Sequence, residues 1–163
     1  MFATVSTPLG PFLFAVDGSG AVVASGWTTD ADALLEPVAS NLRPAAGDGD
    51  VDKVTAAVRA YFDGDVLAID AILVRQASGR FIERAWDLMR AVPAGTTITY
   101  TELAARAGRP DAVRAVGSAC GRNACALFVP CHRILRTDGT LGGYRWGLDV
   151  KRRLLELEGR ICA

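Results

Sequence analysis

An α+β fold is predicted from three observations. Short apolar runs separated by turn residues fill residues 1–27, which is the pattern of strands. Beyond residue 80, apolar residues recur mostly at helical spacing. The charge also divides sharply: residues 1–74 hold three basic and ten acidic residues, a net −7, while residues 75–163 hold fifteen basic and eight acidic, a net +7. A chain of 163 residues suits two small domains. The expectation is a sheet-and-helix N-terminal domain over residues 1–75, packed on a C-terminal helix-turn-helix domain over residues 76–163.

Taken in order, Phe12-Leu13-Phe14-Ala15-Val16 is an apolar strand run, Asp17-Gly18-Ser19-Gly20 a turn, and Ala21-Val22-Val23-Ala24 the returning strand. Residues 30–40 read as a helix with Leu34, Leu35 and Val38 on one face, and Pro37 marks a kink or an end. Residues 41–50, rich in Pro, Gly, Ala and Asp, read as a loop. Val51, Val54, Val58, Tyr61 and Phe62 define a second helix over 51–62, and 69–74 reads as a strand. The boundary falls near 75–79. Helices follow over 81–91, stopped by Pro93, and over 100–107, capped by Thr99 or Thr101. After the turn Gly108-Arg109-Pro110, Asp111 is expected to cap a helix through Gly121, with Val113, Val116, Ala119 and Cys120 inward. Residues 126–129 form a buried run, 137–143 a tight loop, and 149–158 the last helix.

Half the residues are hydrophobic, which supports a core and argues against disorder. No apolar run approaches the ~20 residues of a membrane span, and no signal-peptide pattern opens the chain. Cys120, Cys125, Cys131 and Cys162 lack disulfide-scaffold spacing, and one histidine makes no zinc set, so no metal is expected. A protein that depends on a free thiol belongs in a reducing cytoplasm. Fourteen of the fifteen basic residues of the second half are arginine, which suits bidentate phosphate contacts, although a solvated charged surface has the same composition.

The chemistry concentrates in Val129-Pro130-Cys131-His132-Arg133, which carries the only histidine directly after a cysteine. A thiol is nucleophilic as thiolate, and a neighbouring base or cation lowers its pKa from ~8.5. An imidazole with pKa near ~6.5 is suited to take that proton. Pro130 fixes its own φ and sets Cys131 at a rigid bend. Cys131 is therefore expected to be the most acidic of the four thiols. The dipeptide alone also fits a buried free cysteine beside a surface histidine.

Its surroundings resemble the O6-alkylguanine-DNA alkyltransferases, also called methylated-DNA–protein-cysteine S-methyltransferases. Pro130-Cys131-His132-Arg133, followed by Ile134, resembles the family's active-site signature. The resemblance runs from Phe81 to Glu158 through Trp86, Val92-Pro93-Ala94-Gly95, Tyr100-Thr101-Glu102-Leu103-Ala104, Arg114-Ala115-Val116-Gly117, Asn123, Gly143-Tyr144 and Lys151-Arg152-Arg153-Leu154-Leu155-Glu156-Leu157-Glu158. Before residue 76 the match is loose, chiefly Ser6-Thr7-Pro8-Leu9-Gly10-Pro11.

The resemblance implies a ribonuclease H-like first domain and a winged-helix-like second. It implies that Cys131 attacks the alkyl carbon on guanine O6, that His132 is the base and Glu158 its orienter, that Tyr100 donates to a ring nitrogen, and that Asn123 locks the nucleophile loop. Ile134, Tyr144, Arg145 and Trp146 would border the pocket, with Lys151 a donor beside it. Arg114 would enter the base stack when the target is flipped out, and the small Ala112 and Ala115 would allow close approach, with Thr101 and Arg122 as further DNA-binding residues. The implied partner is double-stranded DNA containing O6-alkylguanine, bound without cofactor, metal or membrane. A monomer in solution is implied, and cooperative assembly on DNA stays open.

Two departures are visible. Tyr144-Arg145-Trp146-Gly147 resembles the C-terminal domain of the bacterial adaptive-response alkyltransferase, and its indole is expected to narrow the pocket. Ile82 stands where a polar, DNA-contacting residue is common in the family. The rival readings are an inactive lesion-recognition DNA-binding protein, which would lack the cysteine, and an unrelated cysteine hydrolase, which would not explain Arg114 or the basic second half.

Overall fold

The computed structural model describes residues 1–47 and 49–162. Asp48, inside the expected loop 41–50, and Ala163 lie outside the described residues. The chain divides into two compact units: Met1–Ala77 with Ala124–Phe128, and Ser78–Asn123 with Val129–Ala163. Residues 124–128 thus belong to the first unit although they fall within the expected second segment, 76–163.

The first unit is built on an antiparallel sheet of β1 (Phe2–Thr7), β2 (Gly10–Val16) and β3 (Val22–Gly26) in the order β1-β2-β3. Phe2 pairs with Ala15 and Leu13 with Gly26, and the register shifts between Ala15 and Val16. Phe12–Val16 and all of β3 are buried, which accounts for their unbroken apolar runs. The turn between them is held by Asp17 Oδ1, which accepts from the backbone N–H of Ser19 and Ala21. Helix α1 (Ala31–Leu35) is capped by Asp30, whose Oδ1 accepts from the N–H of Asp32 and Ala33. It stops short of Pro37, so the proline ends the helix and does not kink it. A single 3-10 turn, Ser40–Leu42, interrupts the expected loop. Helix α2 (Asp52–Phe62) buries Val54, Ala57, Val58 and Tyr61.

The strand expected over 69–74 is a succession of turns. Across 66–74 the buried residues are Val66, Ile69 and Ile72, three apart, and Leu67 and Leu73 are exposed. A strand buries alternate residues; spacing by three buries one side of a coiling chain. Only Val74 bridges to β3, with Val22 N–H donating to Leu73 O and Arg75 N–H to Val22 O, both at 2.8 Å. Further along the same free edge of β3 the 124–128 segment is stitched to Ser25. Ser25 N–H donates to Ala124 O (2.8 Å), Ala126 N–H to Ser25 O (3.2 Å), and the Ser25 hydroxyl to Ala126 O (2.7 Å).

The second unit holds α3 (Arg80–Arg90), α4 (Tyr100–Arg106), α5 (Val113–Arg122) and α6 (Leu148–Cys162). The first three pack against one another, and α4 and α5 form a helix-turn-helix. Trp86 of α3 donates its indole N–H to Ala119 O of α5 at 2.9 Å. Ile82 is buried on the same face of α3 and serves the core. Thr99 is the cap of α4: its hydroxyl accepts from Glu102 N–H. Asp111 does not cap α5. The helix starts one residue later than expected, Ala112 holds the cap position, and no side chain bonds the first turn. Two short strands not expected from sequence, β4 (Ile98–Thr99) and β5 (Ile134–Leu135), pair in parallel, Ile98 with Ile134 and Thr99 with Leu135. They are too short to leave a period in the sequence. Among the described residues no helix is long and apolar enough to cross a membrane.

Candidate active site

Cys131 lies where the chain returns to the second unit after the 124–128 excursion that follows α5. Pro130 has φ −81 and ψ 64, and Cys131 N–H donates to Val129 O at 2.8 Å. This is an inverse γ-turn, which the proline ring favours by fixing φ. The same carbonyl accepts a second bond, from Asn123 Nδ2 at 2.8 Å. Asn123 thereby joins the two ends of the 124–128 excursion. Within that excursion Leu127 takes φ +74, the one non-glycine residue with positive φ among those described, and it is fully buried. The left-handed region costs a leucine ~1–2 kcal/mol, so the flanking bonds must hold it there.

Cys131, His132 and Arg133 form one 3-10 turn, all buried. The two basic side chains converge on Glu158 of α6, itself buried. His132 Nε2 lies 2.8 Å from Glu158 Oε1. Arg133 binds the carboxylate with two donors, Nε to Oε2 at 3.0 Å and a terminal nitrogen to Oε1 at 2.8 Å, and gives a third bond to Val92 O at 2.7 Å. Burial alone would raise the Glu158 carboxyl, but His132 and Arg133 outweigh it and hold it well below the usual carboxylate range. Burial also lowers His132 against the pull of Glu158, so the imidazole is neutral at pH 7. A carboxylate only accepts, so Nε2 carries the proton and Nδ1 presents its lone pair. Nδ1 is buried without a hydrogen-bond partner among the described residues. A neutral base is thus oriented from behind by an anion that is itself neutralised by Arg133.

The expectation of an acidic Cys131 is not met at rest. Burial pushes its thiol up, and the opposing hydrogen bond from Asn123 and charge of Lys151 do not cancel the rise. Cys120 is raised too, by burial first and then by Cys131. Tyr100, the first residue of α4, is pushed up to about 12 by burial and by the two cysteines, so its phenol keeps its proton at any physiological pH. The fully buried Lys151 donates to Ile134 O at 2.8 Å, to Leu141 O, and to Gly143 O at 3.3 Å, drawing the loop after β5 into place.

Tyr144 is partly buried, with its hydroxyl inside. Arg145 and Trp146 stack on each other, the guanidinium 4.5 Å from the ring centroid. Arg114 is exposed on α5, Ala112 and Ala115 are partly exposed at its first turn, and Arg122 is exposed at its end. Thr101 is exposed on α4, its hydroxyl 2.6 Å from that of Thr137. Arg133 and Gly142 were not among the expected site residues. Arg133 was visible in the sequence as the last residue of the Pro130-Cys131-His132-Arg133 signature, before the apolar Ile134-Leu135. Gly142 takes φ +72, where a side chain is strained, and a Cβ there would stand a tight 3.0 Å from the Tyr100 hydroxyl. Among the described residues no three His, Cys, Asp or Glu side chains group to hold a metal ion.

A family model described as the DNA-binding domain of 6-O-methylguanine DNA methyltransferase matches residues 80–160. The chain is 50% identical over 80 residues, 49% of its length, to the regulatory protein ada of Salmonella typhimurium, and spans only 23% of that relative. It is 36% identical over 159 residues to a methylated-DNA–protein-cysteine methyltransferase of Mycobacterium bovis, covering 96% of this chain and 91% of the relative. A crystal structure of the Mycobacterium tuberculosis OGT in complex with DNA superposes with a TM-score of 0.80 at 30% identity, covering 98% of this chain and 93% of that one.

Proposed function

The chain belongs to the O6-methylguanine DNA methyltransferase family, and from that premise we propose that it repairs DNA by direct reversal, moving the alkyl group of O6-alkylguanine onto Cys131. The observation that carries this reading is a buried thiol on a proline-fixed turn, next to a neutral histidine oriented by a carboxylate. The Cys131 proton passes to His132 Nδ1, directly or through one water, and Glu158 stabilises the imidazolium that forms. The sulfur attacks the alkyl carbon, the S–C bond forms as the C–O6 bond breaks, and the guanine takes a proton at a ring nitrogen from the Tyr100 phenol. Because the thiol is neutral at rest, the thiolate exists only when the relay is engaged, which protects it from solvent electrophiles. The product is a thioether with no leaving group, so the protein is consumed stoichiometrically. No oxidation state changes, and no cofactor is required.

A base inside a duplex cannot reach a buried thiol, so the target is flipped out, with methyl the chief cargo. Arg114, exposed on α5, enters the stack from the minor groove, and Ala112 and Ala115 let the helix approach the backbone. Thr101 and Arg122 contact the strand. Trp146 limits the size of the alkyl group, and Tyr144, Arg145 and the backbone of Ile134 border the base. Residues 76–163 carry the DNA-binding and transfer work, and residues 1–75 are structural. The protein acts in the cytoplasm as a monomer. An inactive lesion-recognition role has no use for a cysteine placed in this way. The test is Cys131→Ala: transfer from duplex O6-methylguanine should vanish while binding to the same duplex persists. Transfer that survives the substitution would refute the proposal.

A further inference from the structure

The loop after Cys131 carries a cation that the reading above does not use. Arg136 follows β5 directly, and its backbone is held on both sides, its N–H donating to Thr140 O at 2.9 Å and its carbonyl accepting from Gly139 N–H at 2.8 Å. This turn fixes where the side chain starts, and the residue is exposed. Gly142 locates the stem: a Cβ there would lie 3.0 Å from the Tyr100 hydroxyl oxygen and 3.4 Å from Arg136 Cγ. The phenol and the Arg136 stem therefore border the same small space, which stays open because residue 142 is glycine. The other charged groups near it make hydrogen bonds of their own. Lys151 gives its ammonium protons to the carbonyls of Ile134, Leu141 and Gly143. Asp138 accepts from the backbone and hydroxyl of Thr140, and its carboxylate also lies within electrostatic reach of Arg136. Among the described residues, the Arg136 guanidinium makes no hydrogen bond or ion pair.

We propose that Arg136 is a positioning residue for the transfer, holding the negative charge that grows on the Tyr100 oxygen as the phenol gives its proton to guanine. The inference rests on the role of Tyr100 given above. The O–H bond of Tyr100 breaks, an N–H bond forms on guanine, and the electron pair left on the phenol oxygen is stabilised by the charge of the arginine whose stem borders the same space. Arg136 keeps its own protons throughout. The proton that His132 took from Cys131 restores the phenol afterwards through solvent. Arg136 already acts on this phenol at rest, opposing the upward push of burial and of the two cysteines.

The experiment compares single-turnover rates of wild type, Arg136→Leu, Arg136→Lys, Tyr100→Phe and the Arg136→Leu/Tyr100→Phe double variant. The substrates are a duplex containing O6-methylguanine and the free base O6-methylguanine, which has no phosphate. Arg136→Leu should lose on the order of tenfold on both, less than a desolvated donor would because the guanidinium is exposed. Arg136→Lys should recover most of it, and Arg136→Leu should add nothing in the Tyr100→Phe background. A loss confined to the duplex would mark Arg136 as a phosphate contact and overturn the inference. Losses that multiply between Arg136→Leu and Tyr100→Phe would overturn it as well. Failure of the underlying reading is separate: Tyr100→Phe would then react at the wild-type rate, removing both roles at once.

Discussion

Glu158 is the side chain on which the other charges of the site depend. It fixes the tautomer of His132, neutralises Arg133, and is held anionic by both. Removing one member of a buried pair leaves the other uncompensated, which costs ~3–5 kcal/mol. Glu158→Gln keeps the shape and some hydrogen bonds, so its cost should fall at the lower end, about 3 kcal/mol by urea unfolding, with transfer slowed on the order of a hundredfold. Unchanged stability would mean that Arg133 is satisfied elsewhere. The sole histidine beside a cysteine made half of this site legible from the sequence. Its depth was not legible: the raised Cys131 thiol follows from burial, and burial follows from contacts that local sequence does not state. Arg133 and Glu158 meet only because the 3-10 turn and α6 share a core.

At the scale of elements, the informative parts are the helix-turn-helix and the 123–131 segment. The arginine on the outer face of α5 was readable because helical periodicity assigns faces; of the four residues expected inward, Val116 and Ala119 are buried, and Val113 and Cys120 are half-buried. Arg114→Ala should therefore slow transfer from duplex DNA far more than from free O6-methylguanine, since only the duplex has a stack to fill. Equal losses on both substrates would place Arg114 in the chemistry. The paired strands Ile98–Thr99 and Ile134–Leu135 escaped the sequence reading because two residues carry no alternation, and the 69–74 segment misled it because apolar content without alternation fits a run of turns equally well. Asn123 is the clamp of the segment. Asn123→Ala removes one of the two bonds to Val129 O, and the left-handed Leu127 then has less to hold it. The expected cost is ~1 kcal/mol in stability with a disproportionate loss of rate, because the turn that aims the thiol is loosened. Rate and stability falling in proportion would argue that Asn123 only supports the fold.

For the whole molecule, the acid limb of stability follows from the same groups. Burial lowers His132 from its ordinary 6.5, so the unfolded chain takes up that proton first, and stability should begin to fall as pH drops through 6.5. Glu158, lowered from 4.5, adds a second loss as pH falls below that value. Thermal midpoints measured from pH 8 to pH 4 should decline in that order, and His132→Gln should erase the first step. A flat profile between pH 7 and pH 5 would mean that His132 is not held neutral. The charge asymmetry of −7 against +7 belongs to this scale too, and it was visible in the sequence as soon as the halves were counted separately. Cys131, and no other thiol, is the proposed acceptor of the alkyl group. The most direct measurement is peptide mass spectrometry of the protein after reaction with one equivalent of duplex O6-methylguanine. One methyl group should be added per chain, on the peptide containing Cys131. A methyl group on Cys120, Cys125 or Cys162, or continued turnover with no adduct, would contradict it.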